Sequence, residues 1–269
     1  MKTEKYLMAQ PGTDAEEREI DQLLEAAHRQ MAPRLTRIRR PWVRVGTAAS
    51  PLGNLMVAMS DAGIVMIYFL DTPGASVDNA LATLRRRKFD LIEDQDVAAR
   101  VSGEIRRFVE GDLNALVTPI DLSLVVSPFQ RRVIERLRKV PAGAVMSYQA
   151  LAAAVGAPRG SRAVGNTMAS NPIPVYVPCH RVIRSDGSVG NYGGGVNSKL
   201  ALLRAEGFRI GADRRVTADA VLGHQRTHIF CRPSCSSARR ANPSRMVIFA
   251  DPQGARRAGL RACRQCRPG

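Results

Sequence analysis

No run of roughly 18 apolar residues occurs in the 269-residue chain, which argues against a transmembrane helix. The N-terminus also lacks the basic segment followed by an apolar one that marks a secretory signal. The expected compartment is therefore the cytoplasm, with no membrane partner. Cysteine is scarce and odd in number: five thiols without a secretory signal point to thiol chemistry or metal ligation over a disulfide framework. No internal repeat is present. Acidic residues are scarce only beyond residue 123. Residues 1–123 hold 16 Lys/Arg against 18 Asp/Glu, residues 124–208 hold 11 against 3, and residues 209–269 hold 13 against 3.

The net charge of +16 thus lies entirely in the second half. Such a surface gains affinity for a polyanion by releasing counterions condensed on phosphate, so nucleic acid is the expected partner. A uniformly arginine-rich proteome would give the same composition. With 45% hydrophobic residues the chain can bury a real core, and its length suits two domains and a small third.

Thr13 and Glu16 read as a capping box that opens a helix with Ile20, Leu23, Leu24 and Ala27 on one face, ended by Pro33 and the basic run Arg34–Arg40. Residues 1–41 are accordingly read as an extension. From Trp42 to about Leu70, short apolar runs are broken by turn residues at 50–54 and 61–63, the pattern of an antiparallel meander. Residues 75–87 and 96–110 look helical, so 42–123 is an α+β domain. The next domain, 124–210, opens with Ser127-Pro128-Phe129-Gln130: an N-cap, a proline at the first helical position and a capping-box glutamine. Ser147 caps a short helix through Val155, Gly156 turns the chain, and a second helix carries Arg159 and Arg162 before Asn171-Pro172. Two short helices about a glycine fit a helix-turn-helix and equally fit an ordinary helical hairpin. The stretch 209–226 is polar and reads as a linker to a compact terminal module.

Cys179 lies in Pro178-Cys179-His180-Arg181, between an apolar stretch and a glycine-rich loop. A thiol attacks as thiolate, and its free pKa of about 8.5 must fall, which an adjacent imidazole and nearby arginines can achieve. Alone, such a cysteine reads equally well as a small buried hydrophobe. The surroundings decide. The run Asn171-Pro172-Ile173-Pro174-Val175-Tyr176-Val177-Pro178-Cys179-His180-Arg181-Val182-Ile183, followed by Gly190-Asn191-Tyr192-Gly193-Gly194 and Lys199-x-x-Leu202-Leu203-x-x-Glu206-Gly207, resembles the active-site signature of the O6-alkylguanine-DNA alkyltransferases. Ser147-Tyr148-Gln149 and Arg162-Ala163-Val164-Gly165 also fit, so the resemblance covers roughly residues 43–210.

That resemblance implies a ribonuclease-H-like first domain, a winged helix-turn-helix-like second domain, and a single-use transfer of an alkyl group from O6-methylguanine or O4-methylthymine in double-stranded DNA to Cys179. His180 would take the thiol proton through a water and Glu206 would hold the imidazole. Tyr148 would press on the phosphate beside the target and donate a proton to the leaving base. Arg162 would fill the gap left by the flipped nucleotide, and Asn171 would tie its helix to the active-site loop. Tyr192 and the backbone at Val182 would read the base edge, with Arg181 also on the DNA-binding side. Flipping is required because a duplex hides the O6 substituent. The thioether product has no reductive route back. A monomer associated with a bacterial nucleoid is the simplest expectation. Val133 departs from the tryptophan of many relatives.

Cys231-x3-Cys235 and Cys263-x2-Cys266 have the spacing of a tetrahedral zinc site with four thiolates. The runs 226–235 and 258–268 resemble the zinc-binding domain of the adaptive-response protein Ada, which implies that Cys231 accepts methyl from a DNA phosphotriester. The module follows the alkyltransferase instead of preceding it, and His228 and Ala262 replace the usual glycine and proline. A methylation-sensing regulator is the alternative reading. Residues 211–269 are thus expected to be linker plus zinc module, while alkyl transfer itself needs no cofactor.

Overall fold

The computed structural model describes residues 22–23, 25–26, 40–216, 220–224, 226–242 and 245–269. The chain divides into two compact units, Met1–Pro41 and Trp42–Gly269. In the first, Gln22, Leu23, Glu25 and Ala26 are helical. The capping box at Thr13 and Glu16, and the terminating residues from Pro33 onward except Arg40, lie outside the described residues.

The second unit is a mixed α/β fold. It opens with an antiparallel meander of β1 (Trp42–Ser50), β2 (Gly53–Ser60) and β3 (Gly63–Phe69). Gly53 and Gly63 take φ of 105° and 136° at the two turns, where a side chain would be strained. Helix α1 (Val77–Arg86) then crosses back to β4 (Asp90–Glu93), which joins β1 in parallel to give the order β3-β2-β1-β4. Helix α2 (Gln95–Val109) begins at Asp94, whose carboxylate accepts from the Asp96 N–H at 3.0 Å. Its apolar residues Val97, Ala98, Val101, Ile105 and Phe108 recur at helical spacing, are buried, and pack on β1 and β2. Each large side chain among them contributes about 2 kcal/mol.

Helix α3 (Pro128–Leu137) starts as its sequence indicates, with the Ser127 hydroxyl accepting from the Gln130 N–H at 3.3 Å. The expected capping box is only half formed. The Gln130 side chain turns away and donates to the carbonyl and hydroxyl of Ser170, both at 3.2 Å, tying α3 to a later helix end. Strand β5 (Ala144–Ser147) leads directly into α4 (Tyr148–Ala154), capped by the Ser147 hydroxyl. After Gly156, at φ 81°, the chain forms α5 (Ser161–Ala169). A single 3-10 turn, Cys179–Arg181, precedes the two-residue strand β6 (Val182–Ile183), and α6 (Gly195–Ala205) closes this region.

The C-terminal segment holds β7 (Val221–His224), β8 (Ile229–Cys231), α7 (Ser236–Arg239), β9 (Met246–Phe249), α8 (Pro252–Arg257) and β10 (Arg261–Ala262). The reading of 209–226 as a linker needs correction. β7 lies inside it, and Ile210 and Ser188 form bridges with Val216 and Arg215, so the segment packs back on the glycine loop. A second correction concerns compactness of the terminal module. β9 pairs antiparallel with β5, and the result is one six-stranded sheet, β10-β8-β7-β9-β5-β6. One apolar core accordingly runs from Leu55 and Phe108 through Val133 and Val177 to Phe230 and Phe249. Among the described residues no helix is long and apolar enough to cross a membrane.

Candidate functional site

The segment carrying Cys179 is held at both ends. On one side the Pro172 carbonyl accepts from the Ile67 N–H at 2.8 Å, so the outer edge of β3 carries the loop. On the other, the Tyr176 hydroxyl donates to Glu104 of α2 at 2.6 Å, and the same carboxylate accepts from the N–H groups of Val117 and Thr118. Between these ties Val175 sits at φ 76°. That is unusual for a β-branched residue and marks stored backbone strain beside the thiol.

Cys179 is 5% exposed. Asn171, just past the end of α5, donates from its amide to the Cys179 sulfur at 3.1 Å and to the Val177 carbonyl at 3.0 Å, while its oxygen accepts from the Ile173 N–H. The side chain thus bridges α5 and the loop. Burial pushes the Cys179 thiol above its ordinary pKa, and the Asn171 amide and the Lys199 ammonium oppose that rise. The expected depression by His180 and flanking arginines is therefore corrected. The imidazole lies edge-on to Phe108 with ring centres 6.4 Å apart, and the side chains that favour thiolate are Asn171, Lys199 and Tyr192.

Glu206, 4% exposed at the end of α6, organises the opposite side. Its Oε1 meets His180 Nε2 at 2.8 Å and accepts from Arg181 Nε at 2.8 Å; its Oε2 accepts from the Gly143 N–H at 3.1 Å. Burial alone would raise this carboxyl, but the charges of His180 and Arg181 outweigh it and its pKa is lowered. Burial likewise holds His180 below its ordinary value, against the pull of Glu206. With Nε2–H donated to Glu206, Nδ1 is the free lone pair, and it has no hydrogen-bond partner among the described residues.

Two cavities meet at Cys179. One of about 330 Å³ is lined by Tyr148, Gly165, Met168, Ala169, Asn191, Tyr192 and Gly193. The other, about 370 Å³, approaches from β3 and α3 past Met66, Phe69, Gln130 and Asn171. Tyr148, first residue of α4, has its hydroxyl pKa raised by burial and by the charge of Cys179. Tyr192 stacks edge-on against Phe69 at 5.9 Å, and burial pushes its pKa well up. Arg162 is exposed on the first turn of α5.

Two anticipated residues lie elsewhere. Arg181 turns inward: its guanidinium is 11% exposed and is spent on Glu206 and on the Val140 carbonyl, the latter at 2.6 Å. Val182 lines neither cavity. Its N–H bonds the Cys179 carbonyl, and its own carbonyl accepts from Lys199 Nζ at 2.6 Å. Lys199 is the residue that sequence reasoning left without a role. Fully buried, with its pKa lowered by burial to about 8, it places a cation near Cys179. Its signal was available, since a lysine among Ser198, Leu200 and Leu202 on a helix is costly to bury without purpose.

The Cys231, Cys235, Cys263 and Cys266 sulfurs lie within 4.8 Å of one another. A tetrahedron with Zn–S arms of about 2.3 Å has edges near 3.8 Å, so the set needs only slight contraction. Backbone amides also point at the sulfurs: the Arg232 N–H reaches Cys266 Sγ at 3.4 Å, and those of Cys266 and Gln265 hold Cys263 down at about 7. Four thiols surrounded by such donors fit a divalent zinc ion. A cavity of about 270 Å³, lined by Leu222, His224, Thr227 and Ile229, opens onto Cys231.

Residues 128–208 match the family model described as "6-O-methylguanine DNA methyltransferase, DNA binding domain", and residues 208–269 match "Metal binding domain of Ada". The four-cysteine cluster is the zinc site of that module. A methylated-DNA–protein-cysteine methyltransferase of Saccharolobus islandicus is 37% identical over 166 residues, covering 61% of this chain and 96% of that protein. The bifunctional transcriptional activator/DNA repair enzyme Ada of Escherichia coli is 35% identical over 166 residues, again 61% of this chain but 45% of its own length. The chain also spans only 63% of the Salmonella typhimurium methyltransferase, at 43% identity over 108 residues, which is 40% of this chain. Among solved structures, Mycobacterium tuberculosis OGT in complex with DNA aligns at a TM-score of 0.51 and 32% identity, covering 64% of this chain and 97% of that one. On the strength of these matches and of the thiol, imidazole and carboxylate assembled around Cys179, the chain belongs to the methylated-DNA–protein-cysteine methyltransferase family.

Proposed function

We propose that this protein repairs alkylated DNA by direct reversal, moving a methyl group from O6 of guanine, and from O4 of thymine, onto Cys179 and inactivating itself in doing so. The observation that carries this reading is the buried Cys179 sulfur at the floor of a cavity, with the Asn171 amide 3.1 Å away and the His180–Glu206 pair, 2.8 Å apart, behind it. Glu206 holds Nε2–H, so Nδ1 takes the thiol proton through a water. The thiolate attacks the methyl carbon; the S–C bond forms as the C–O bond breaks, and its electron pair returns to the guanine oxygen and ring. Tyr148, kept protonated by its raised pKa, donates the proton that the leaving base needs.

Helices α4 and α5, with the glycine turn between them, would act as a winged helix-turn-helix whose exposed Arg162 enters the duplex from the minor groove and fills the vacated position. Flipping costs a few kcal/mol and less for a weakly paired, damaged base, so selectivity begins with pairing strength. The cavity beside Tyr192 and Asn191 would receive the extruded base. Arg181 is assigned to supporting Glu206 instead of contacting DNA. The first sheet and its helices would form the ribonuclease-H-like domain, and the protein would act as a monomer at the nucleoid.

A second reading concerns the zinc module, where bound zinc would keep four thiolates deprotonated and favour capture of a methyl cation equivalent that lowers their net charge. A cavity lined by both Cys231 and Cys263 gives a methyl phosphotriester a route to the site, and the resemblance to an Ada-like sensor makes Cys231 the acceptor. Both readings are tested by intact-protein mass after incubation with duplex DNA. DNA with one O6-methylguanine should add one methyl that maps to Cys179 and is absent in Cys179→Ala. A neutral methyl phosphotriester should add one that maps to Cys231. No gain with folded, zinc-replete protein overturns the corresponding reading.

A further inference from the structure

The six-stranded sheet carries the C-terminal segment into the back of the alkyl-transfer site. Antiparallel pairing aligns Ala144 with Phe249 and Val145 with Ile248, and the Ala250 N–H, one residue beyond β9, donates to the Gly143 carbonyl at 2.9 Å. The N–H of that same Gly143 donates to Glu206 Oε2 at 3.1 Å inside the protein. Gly143 holds φ 74°, a conformation that favours glycine, and packs against the Glu206 carbonyl oxygen, which lies 3.4 Å from where a Cβ would stand. The other half of β5 pairs with β6, the strand that follows the Cys179–Arg181 turn. β5 is thus clamped between the strand leaving the reactive turn and a strand of the zinc module.

We propose that the zinc module is a positioning element of the alkyl-transfer site: the Ala250 N–H holds the Gly143 carbonyl, which sets the backbone angles at Gly143, and these aim the N–H of the preceding peptide at the Glu206 carboxylate and fix it against His180. Arg181 and His180 both compete for Oε1, so Gly143 is the group that orients the second oxygen. A carboxylate free to rotate would follow the arginine and leave Nε2 without a fixed acceptor, and the imidazole would then divide between its two tautomers. The module's contact with DNA plays no part in this role. The charged groups facing Glu206 are His180 and Arg181, and Lys199 acts on His180 from α6.

The inference rests on the repair reading of Cys179, but its test does not depend on turnover. Ala250→Pro deletes the donor N–H, and removal of zinc from the wild-type full-length chain loosens the module as a whole. The first readout is the ¹⁵N shift of the His180 ring, which reports its tautomer: the zinc-loaded wild type should hold the Nε2–H form, and both perturbed proteins should give a mixture. The second readout is the single-turnover rate on O6-methylguanine duplex against pH. Losing the Ala250 donor, and with it the fixed aim of the Gly143 N–H, should slow transfer about tenfold near neutrality and move the acid limb up by about one pH unit, as expected for a carboxylate deprived of one hydrogen bond. An unchanged tautomer in either perturbed protein overturns the proposal. So does a loss of active fraction with the acid limb in place, because that is what a merely structural role produces. If Ala250→Pro does not fold, the zinc-depleted wild type decides by the same two readouts. A wild type that transfers no methyl while its His180 tautomer responds would sink the repair reading and leave the positioning inference standing.

Discussion

Replacing Glu206 by glutamine removes one negative charge, at constant shape, from a carboxylate addressed by His180, Arg181 and Gly143 together. Two consequences follow from burial. The Arg181 guanidinium, 11% exposed, loses its counter-charge, and breaking such a pair typically costs 3–5 kcal/mol. Glutamine still accepts hydrogen bonds, so about 3 kcal/mol is the expected loss, or a fall in melting temperature of about 10 °C for a unit of this size. The glutamine NH2 can also donate to Nε2, which forces the proton onto Nδ1 and removes the lone pair that should take the thiol proton. Transfer should slow by about 10²–10³. The pH dependence gives a sign to check. The folded-state pKa of Glu206 is lowered, so its stabilisation is present above the unfolded carboxylate value of about 4.3 and lost as pH falls through the folded value. Wild type should therefore exceed the variant at pH 7, and its advantage should begin to shrink only as pH falls below about 4.3. Thermal unfolding followed by circular dichroism at the two pH values, with single-turnover rates at the higher one, measures all three. A variant within 1 kcal/mol and threefold of wild type would refute the account of Glu206.

Asn171→Ala should raise the pH at which Cys179 reacts with iodoacetamide, because it removes the amide that favours thiolate, and should slow methyl transfer by about tenfold; an unmoved thiol titration counts against that role. Lys199, whose pKa is lowered to about 8, destabilises the fold while charged, so wild type should gain up to about 3 kcal/mol over Lys199→Met between pH 8 and 10, read by urea unfolding. Arg162→Ala should slow repair of duplex DNA at least about tenfold yet leave reaction with a free O6-alkylguanine base within about twofold, since only the duplex has a gap to fill. Zinc analysis should find one ion per chain, and Cys263→Ser should release it at a lower chelator concentration than wild type needs.

Much of the site was legible because its chemistry is local in sequence. Cys179 and His180 are adjacent, Asn171 precedes them by one loop, and Ser127 and Ser147 announce their helices by hydroxyls at the first turn. The direction in which side chains point was not legible. Arg181 follows His180, and nothing in the order of residues says that one 3-10 turn aims both at Glu206 instead of sending the arginine outward. Lys199 was hidden for the opposite reason, its charge suggesting a solvated position. The pairing of β9 with β5 was the furthest from view. Met246-Val247-Ile248-Phe249 is a short apolar run that could sit against any edge, and a strand four residues long carries no mark of its partner. Val133 is fully buried in the common core.

The strand order also sets a schedule for synthesis. Ala144 pairs with Phe249, so the backbone of β5 acquires its second neighbour only after roughly a hundred further residues have left the ribosome, a delay of about 5 to 20 s at ordinary elongation rates. During that interval Val145 and Met146, both fully buried in the finished protein, lie along an open sheet edge next to the nascent active-site loop. The backbone behind the reactive centre is therefore completed only once β9 has been made, well after Cys179 itself.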